Sequence, residues 1–294
     1  MRNAFIDELI LQARRNPNIA LIVGDLGYSV VEPFADEFPD RFINAGVAEQ
    51  NMMGLAAGMA SEGYHVFTYS IANFPTFRCA EQIRNDVDYH NLPVTVVSVG
   101  GGLAYGALGY SHHAVQDYAL MRAMPNMLIG APGDPHEVRA IMQYLITHPG
   151  PSYLRLGKAG EPQLHGDIPN VYPGSIQNLR TNRETKKLLL TTGATLEMAL
   201  LAKGCSDFSV KSVPLWGMAC KEKIISEIDG FDEIRVIEDH LVDGGFGSWV
   251  LEALSVYSTS KVSQPNVTLV ALDPKVTSAV GRQETLNSFG GLNV

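Results

Sequence analysis

Short runs of β-branched and aliphatic residues recur along the whole chain, each followed by a stretch with helical spacing, and that alternation limits the fold more than any single motif. In the first half the runs are IALIVGD (19–25), HVFTYS (65–70), PVTVVSV (93–99) and NMLIGAP (126–132). After residue 185 a second round brings KKLLLTTG, FSVKSVPLW (208–216), EIRVIEDH and VTLVALD as strands, with TLEMALLAKGC, KEKIISEI and SWVLEALSVY as helices. Strands alternating with helices predict mostly parallel sheets covered by helices, with ligands where loops leave the carboxyl ends of strands. Residues 157–185 hold scattered Gly, Pro, Asn and Arg with little periodicity, which suits an exposed connection. The expected organisation is α/β throughout: a first domain over 1–158, a linker over 159–185 and a second domain over 186–294.

A length of 294 residues with 46% hydrophobic and 18% charged content is enough for a sizeable core. The formal net charge of −9 comes with no run of Lys or Arg, so neither nucleic acid nor an anionic membrane is an expected partner. No apolar stretch reaches the roughly 18 residues of a membrane-spanning helix, and the start, MRNAFIDELILQARRNP, reads as an amphipathic helix. Cys79, Cys205 and Cys220 lack metal-ligand spacing and predict buried thiols in a reducing compartment, hence a cytoplasmic location.

The most informative segment is RFINAGVAEQNMMGLAAGMASEG (41–63), where a strand-like FINAG turns into a helix beginning near Val47, with Glu49 at the turn. Met53, Ala57 and Ala60 fall near the face below Glu49, and the small Gly54, Ala57, Gly58 and Ala60 permit close helix approach. A carboxyl among few polar neighbours becomes a proton donor. From spacing alone, Glu49 is equally a helix-start acid favoured by the macrodipole.

GVAEQNMMGLAAGMA resembles the segment that opens the pyrimidine-binding domain of transketolases and deoxyxylulose-phosphate synthases, and the resemblance runs through most of the chain. GDLGYS resembles the family's Ala-Asp-Leu turn, and YSIANFPTFRCAEQIRNDVDYHNLPVTVVS its aromatic segment with the following helix and strand. The resemblance implies a thiamine-diphosphate-binding pyrimidine-type fold followed by a transketolase C-terminal-type domain. It assigns Glu49 to the ring nitrogen N1′ of the cofactor's aminopyrimidine, where it promotes the imino tautomer. It puts Asp25 and Leu26 at the cofactor site, and Phe74 or Phe77 on the pyrimidine face. Phe74 is preferred because in FPTFR it stands four before Arg78, as in split members of the family, and Arg78 is itself a candidate for the site. Either phenylalanine is, on chemistry alone, a core residue of a βα loop.

The Gly-rich SVGGGLAYGALGYSHHAVQDYALM begins directly after a strand, and it lacks the GxGxxG spacing of a dinucleotide site. His112 and His113 resemble the family's Gly-Glu-Asp-Gly-x-(Thr/Ser)-His-Gln motif, which makes His112 a catalytic, substrate-facing residue and His113 a second substrate contact. The chain departs from that pattern at Ala107-Leu108, where the family has Glu-Asp, and at Gly100, about where transketolases carry another histidine. Lost polar contacts point to a modified or less polar sugar. PGPSYLRLGKAGEP resembles the strand and loop closing the pyrimidine domain, which implies that Arg155, and less strongly Lys158, binds a substrate phosphate; taken alone, Arg155 reads as a surface charge.

EIRVIEDHLVDGGFGSWVLEAL resembles the strand end and helix start of the family's C-terminal domain. The Gly-Asp-Gly…Asn motif that binds magnesium and diphosphate appears nowhere, so no metal ligand is expected on this chain. The resemblance therefore implies a split enzyme. This chain is the transferase half bearing the glutamate, and a diphosphate-binding N-terminal transketolase-like subunit holds most of the thiamine diphosphate and the magnesium. The two form a heterodimer that pairs into a heterotetramer and moves a two-carbon ketol unit from a ketose donor to an aldehyde acceptor. Alternatives sharing this half-fold are the β-subunit of a 2-oxo-acid dehydrogenase first component, a deoxyxylulose-phosphate-synthase-like half, and a non-catalytic stabilising subunit.

Overall fold

The computed structural model describes residues 1–257 and 265–293. Strand β1 (Ile19–Val23) lies between β2 (Phe42–Asn44) and β3 (His65–Ile71), followed outward by β4 (Val94–Val99), β6 (Ser152–Leu156) and β5 (Leu128–Gly130), all parallel. The β-branched runs are buried along their length, as parallel strands covered on both faces must be. Alternation sorts their side chains. Ile22, Val66, Val94 and Val96 meet the layer of Met52, Met53 and Ala56 from the Glu49–Ser61 helix. Leu21, Phe67, Tyr69 and Val97 meet Phe5 and Leu9 of the Arg2–Arg15 helix with Val138 and Ile141 of the Pro135–Thr147 helix.

The second sheet has the order β12 (Asn266–Leu272), β11 (Glu233–Leu241), β8 (Lys187–Thr191), β9 (Ser209–Ser212), β7 (Gln177–Arg180), with β7 antiparallel to β9 and the rest parallel. Strand β7 falls inside 159–185, so part of the expected connection is an edge strand, with Arg180 binding the carbonyls of Leu200, Cys205 and Phe208. FSVKSVPLW is two strands rather than one. Pro214, which has no N–H to donate, follows β9, and β10 (Leu215–Gly217) crosses to pair antiparallel with β5 in the first sheet. The crossing buries Trp216 against Tyr118, Phe246 and Trp249, so the two halves interlock. Among the described residues no helix is long and apolar enough to cross a membrane.

Candidate functional site

Five segments reach the carboxyl edge of the first sheet: Gly24–Leu26 after β1, Gly46–Glu49 after β2, Asn73–Arg78 after β3, the Gly100 loop after β4 and Lys158 after β6. Glu49 is the first residue of its helix and 4% exposed. Its position beside the free N–H groups of the first turn favours an anion. The expectation of few polar neighbours is corrected, because Arg78 Nη1 donates to both carboxylate oxygens at 3.0 Å. The small-residue face is also divided. Ala56, Ala57 and Ala60 are buried, whereas Gly54 and Gly58 face outward with open space beyond them.

Arg78 connects the carboxylate to the aromatic segment. Its guanidinium carbon lies 4.2 Å from the centroid of Phe74, and the Phe74 ring meets His112 edge-on at 5.2 Å. Phe77, in the same short turn, is 48% exposed and joins neither contact. Beyond Arg78 the backbone passes through a π-helical segment, Ile83–Asp88, a bulge type frequent near functional sites. Asn44 binds Asp25 through its Nδ2 and accepts from the amides of Asp25 and Gly46, which ties the β1 and β2 loops together behind Glu49. Asp25 is exposed at the rim, and Leu26 is half-buried with the Phe5 layer.

The loop after β4 carries the histidines. His112 is half-buried, accepts or donates to Ser111 Oγ at Nδ1, and leaves Nε2 free for a ligand. Burial, reinforced by His113 and Arg78, holds its imidazole below the usual value and keeps it neutral. His113 turns inward, 1% exposed, against the Gly106 carbonyl, so the expected substrate contact is corrected. Asn73 fixes this arrangement, donating from Nδ2 to the carbonyls of Ser111 and His113. Neither Asn73 nor Asn44 was singled out in the sequence, since an Asn after a strand usually signals only a turn.

Two departures from the family pattern acquire physical reasons. Gly100 has φ +85°, and a Cβ there would stand 2.1 Å from Tyr105 Cε2, so the Tyr105 ring fills the space a side chain at 100 would need. Leu108 is exposed on the loop's outer turn. Lys158 Nζ lies 5.3 Å from the Tyr105 centroid, at the same rim.

Arg155 is the largest correction. It sits on a central strand, its side chain 2% exposed, and every guanidinium N–H is used: Nε to Asp117 Oδ2, Nη1 to Tyr118 Oη and Asp239 Oδ1, Nη2 to the carbonyls of Ala114 and Asp239. An arginine saturated by two carboxylates has no donor left for phosphate.

The open cavity in front of Glu49, about 490 Å³, is lined by Val47, Ala48, Gln50, Asn51 and Arg78. It presents one buried carboxylate beside the Arg78 guanidinium, with Phe74 on the far side of Arg78 and His112 edge-on beyond Phe74. Among the described residues no cluster of His, Cys, Asp or Glu is arranged to hold a metal.

Fold and site together define an α/β enzyme whose ligand sits at the carboxyl ends of parallel strands. Residues 1–161 match the transketolase pyrimidine-binding domain, and the chain belongs to that family. One subunit of an apulose-4-phosphate transketolase from Actinobacillus succinogenes is 32% identical over 262 residues, 87% of this chain and 83% of that one. A 6-deoxy-6-sulfo-D-fructose transketolase subunit from a Clostridium species is 29% identical over 267 residues, 86% of this chain and 80% of that one. The solved structure of a split-gene transketolase, described as an inactive β4 tetramer, superposes with a TM-score of 0.84 at 30% identity, covering 99% of this chain and 93% of that one. The chain is a subunit of a split, thiamine-diphosphate-dependent transketolase, a transferase that acts with a partner subunit.

Proposed function

We propose that this chain contributes the pyrimidine half of a two-chain cofactor site, with Glu49 at the pyrimidine ring nitrogen and Phe74 against the ring face. The observation that carries the reading is the buried Glu49 carboxylate lining an open cavity, one guanidinium away from Phe74, with His112 edge-on beyond that ring. Thiamine diphosphate, when bound, supplies the electron sink that lets a carbon–carbon bond of a ketose break. Glu49 holds the proton shared with the ring nitrogen, which requires Arg78 to give up one carboxylate oxygen. The neutral His112 offers Nε2 to a substrate hydroxyl, a role suited to moving a proton near neutral pH. Asp25, tied to Asn44 at the rim, and Leu26 beside it take part from the loop after β1.

A partner subunit supplies the ligands for magnesium and the diphosphate, and two such pairs form a heterotetramer. The substrate is a non-standard sugar: Tyr105 fills the space at Gly100, Leu108 adds an apolar surface, and relatives are named for apulose 4-phosphate and 6-deoxy-6-sulfofructose. Three buried free thiols support a reducing, cytoplasmic setting. The test is calorimetric titration of thiamine diphosphate with magnesium into this chain, into the partner and into their mixture, followed by a donor screen with those two sugars. Tight binding and turnover are expected in the mixture alone. Tight binding by the isolated chain, or none by the mixture, overturns the reading.

A further inference from the structure

The second half of the chain supplies none of the residues facing the Glu49 cavity, yet it holds the His112 loop from several sides. Leu241 at the end of β11 donates its amide to the Val115 carbonyl at 3.0 Å. Gly281 donates to the Gly106 carbonyl at 3.2 Å, and a Cβ on Gly106 would stand 2.4 Å from Leu286. At the base of the loop, Gly102 and Ala114 exchange both backbone hydrogen bonds, at 2.8 and 2.9 Å, closing residues 102–114 into a ring.

That closure stands on a buried arginine shared by two carboxylates, Asp117 from the first half and Asp239 from the second. Arg155 Nη1 reaches Asp239 Oδ1 at 2.6 Å, and its Nη2 donates to the Ala114 carbonyl at 2.8 Å and the Asp239 carbonyl at 3.3 Å. The far side of the ring is equally close, since a Cβ on Gly102 would stand 2.3 Å from Asp239 Oδ2 and one on Gly101 2.6 Å from the Arg155 guanidinium. Gly102 also has φ +63°, a conformation glycine adopts without steric cost. Two glycines thus give way so that a side chain from each half can lie under the loop. With all five N–H groups of Arg155 engaged, the cluster holds one geometry, because shifting the guanidinium breaks several charge-assisted bonds at once.

We propose that Asp239, acting through Arg155, is a positioning residue for His112, and that setting this loop is the second unit's contribution to ketol transfer. Asp239 touches neither cavity nor substrate. It fixes the Ala114 end of the ring, and Asn73 fixes the Ser111–His113 end, so the imidazole is held against Phe74 from both sides. The inference rests on His112 facing the substrate.

The test compares Asp239→Ala and Asp239→Asn in the assembled two-subunit enzyme. Asparagine keeps an acceptor for Arg155, and alanine does not. The first readout needs no substrate: the titration of His112, followed by NMR with ¹³C-labelled histidine in this chain. In Asp239→Ala its midpoint is expected to rise toward the free value of 6.5 as the ring leaves Arg78 and Phe74, and in Asp239→Asn to stay at the wild-type position. The second is thiamine diphosphate affinity, expected within about threefold of wild type in both, because Glu49 and Phe74 are untouched. The third is turnover of the donor accepted by the wild-type pair: kcat is expected to fall by about 100-fold in the alanine variant, the scale of a misplaced group, with recovery in asparagine. An unmoved His112 titration in a folded Asp239→Ala enzyme overturns the proposal, as does an equal loss of cofactor affinity. If alanine does not fold, an asparagine variant with a displaced His112 midpoint overturns it. A His112→Ala enzyme with wild-type turnover sinks the functional reading of the loop instead, whatever Asp239 does to its position.

Discussion

Arg78 places one nitrogen, Nη1, 3.0 Å from both carboxylate oxygens of Glu49. The pair is lopsided in exposure, 49% for the arginine side chain and 4% for the glutamate. The anion is therefore fixed and the cation is free to move, so a ligand can take over one oxygen without the carboxylate losing its position.

Glu49→Gln preserves the shape and removes the charge. Assembly with the partner, read by sedimentation, is expected to be unchanged, while kcat falls by about 10²–10⁴-fold, the range typical of a lost proton-transferring group. Wild-type turnover in this variant contradicts the assigned role.

The two phenylalanines separate cleanly. Phe74→Ala removes the ring beneath Arg78 and beside His112, and cofactor affinity in the assembled enzyme is expected to weaken about tenfold, the value of a lost ring-stacking contact. Phe77→Ala should leave affinity within about twofold by the same calorimetry. The reverse order would mean that Phe77 is the stacking ring.

Restoring a histidine at position 100 is expected to harm the chain. Gly100→His puts a Cβ at φ +85° and into Tyr105, and the combined strain should cost about 1–3 kcal/mol in urea denaturation. Adding Tyr105→Ala should recover part of that loss. A single variant as stable as wild type would show that Tyr105 moves aside freely.

Acid should weaken the fold through His65, whose imidazole is buried beside Thr95 and stacked on Phe67, and which burial pushes down to about 4. Between about 6.5 and 4 the unfolded chain binds the proton that the folded one refuses, so stability rises with pH across that window and is lost as pH falls through it. The full contribution is about 3 kcal/mol. Denaturation midpoints at pH 7 and pH 4.5 should differ less in His65→Gln than in wild type, and equal differences would remove His65 from the account.

Local pattern made the first half of the site legible. The β-branched runs marked the strands, and a Gly/Ala-rich helix after FINAG placed Glu49 at a strand-to-helix turn, where the carboxylate is found. The turn that carries Phe74 was legible as the segment following β3, but the choice of Phe74 over Phe77 came from the family resemblance and not from local pattern. Gly100 was noticed only as an absence; that Tyr105 fills the space depends on how the loop folds back on itself.

What spacing could not decide lies at long range. Arg155 reads from the sequence as an arginine on a strand, and only the tertiary structure brings Asp239, 84 residues away, into its fork and converts an expected phosphate ligand into a buried clasp. His113 has the same composition and nearly the same position as His112, yet the loop's closure turns one ring inward and leaves the other facing Phe74. Pro214 sends Leu215–Gly217 into the other sheet for the same kind of reason. The sequence by itself determined the element types and the residue at the turn, since both follow from backbone periodicity and local sterics. Which charges met, and which histidine packed against Phe74, was decided by tertiary packing, because burying a charge is tolerable only where a distant partner arrives to meet it.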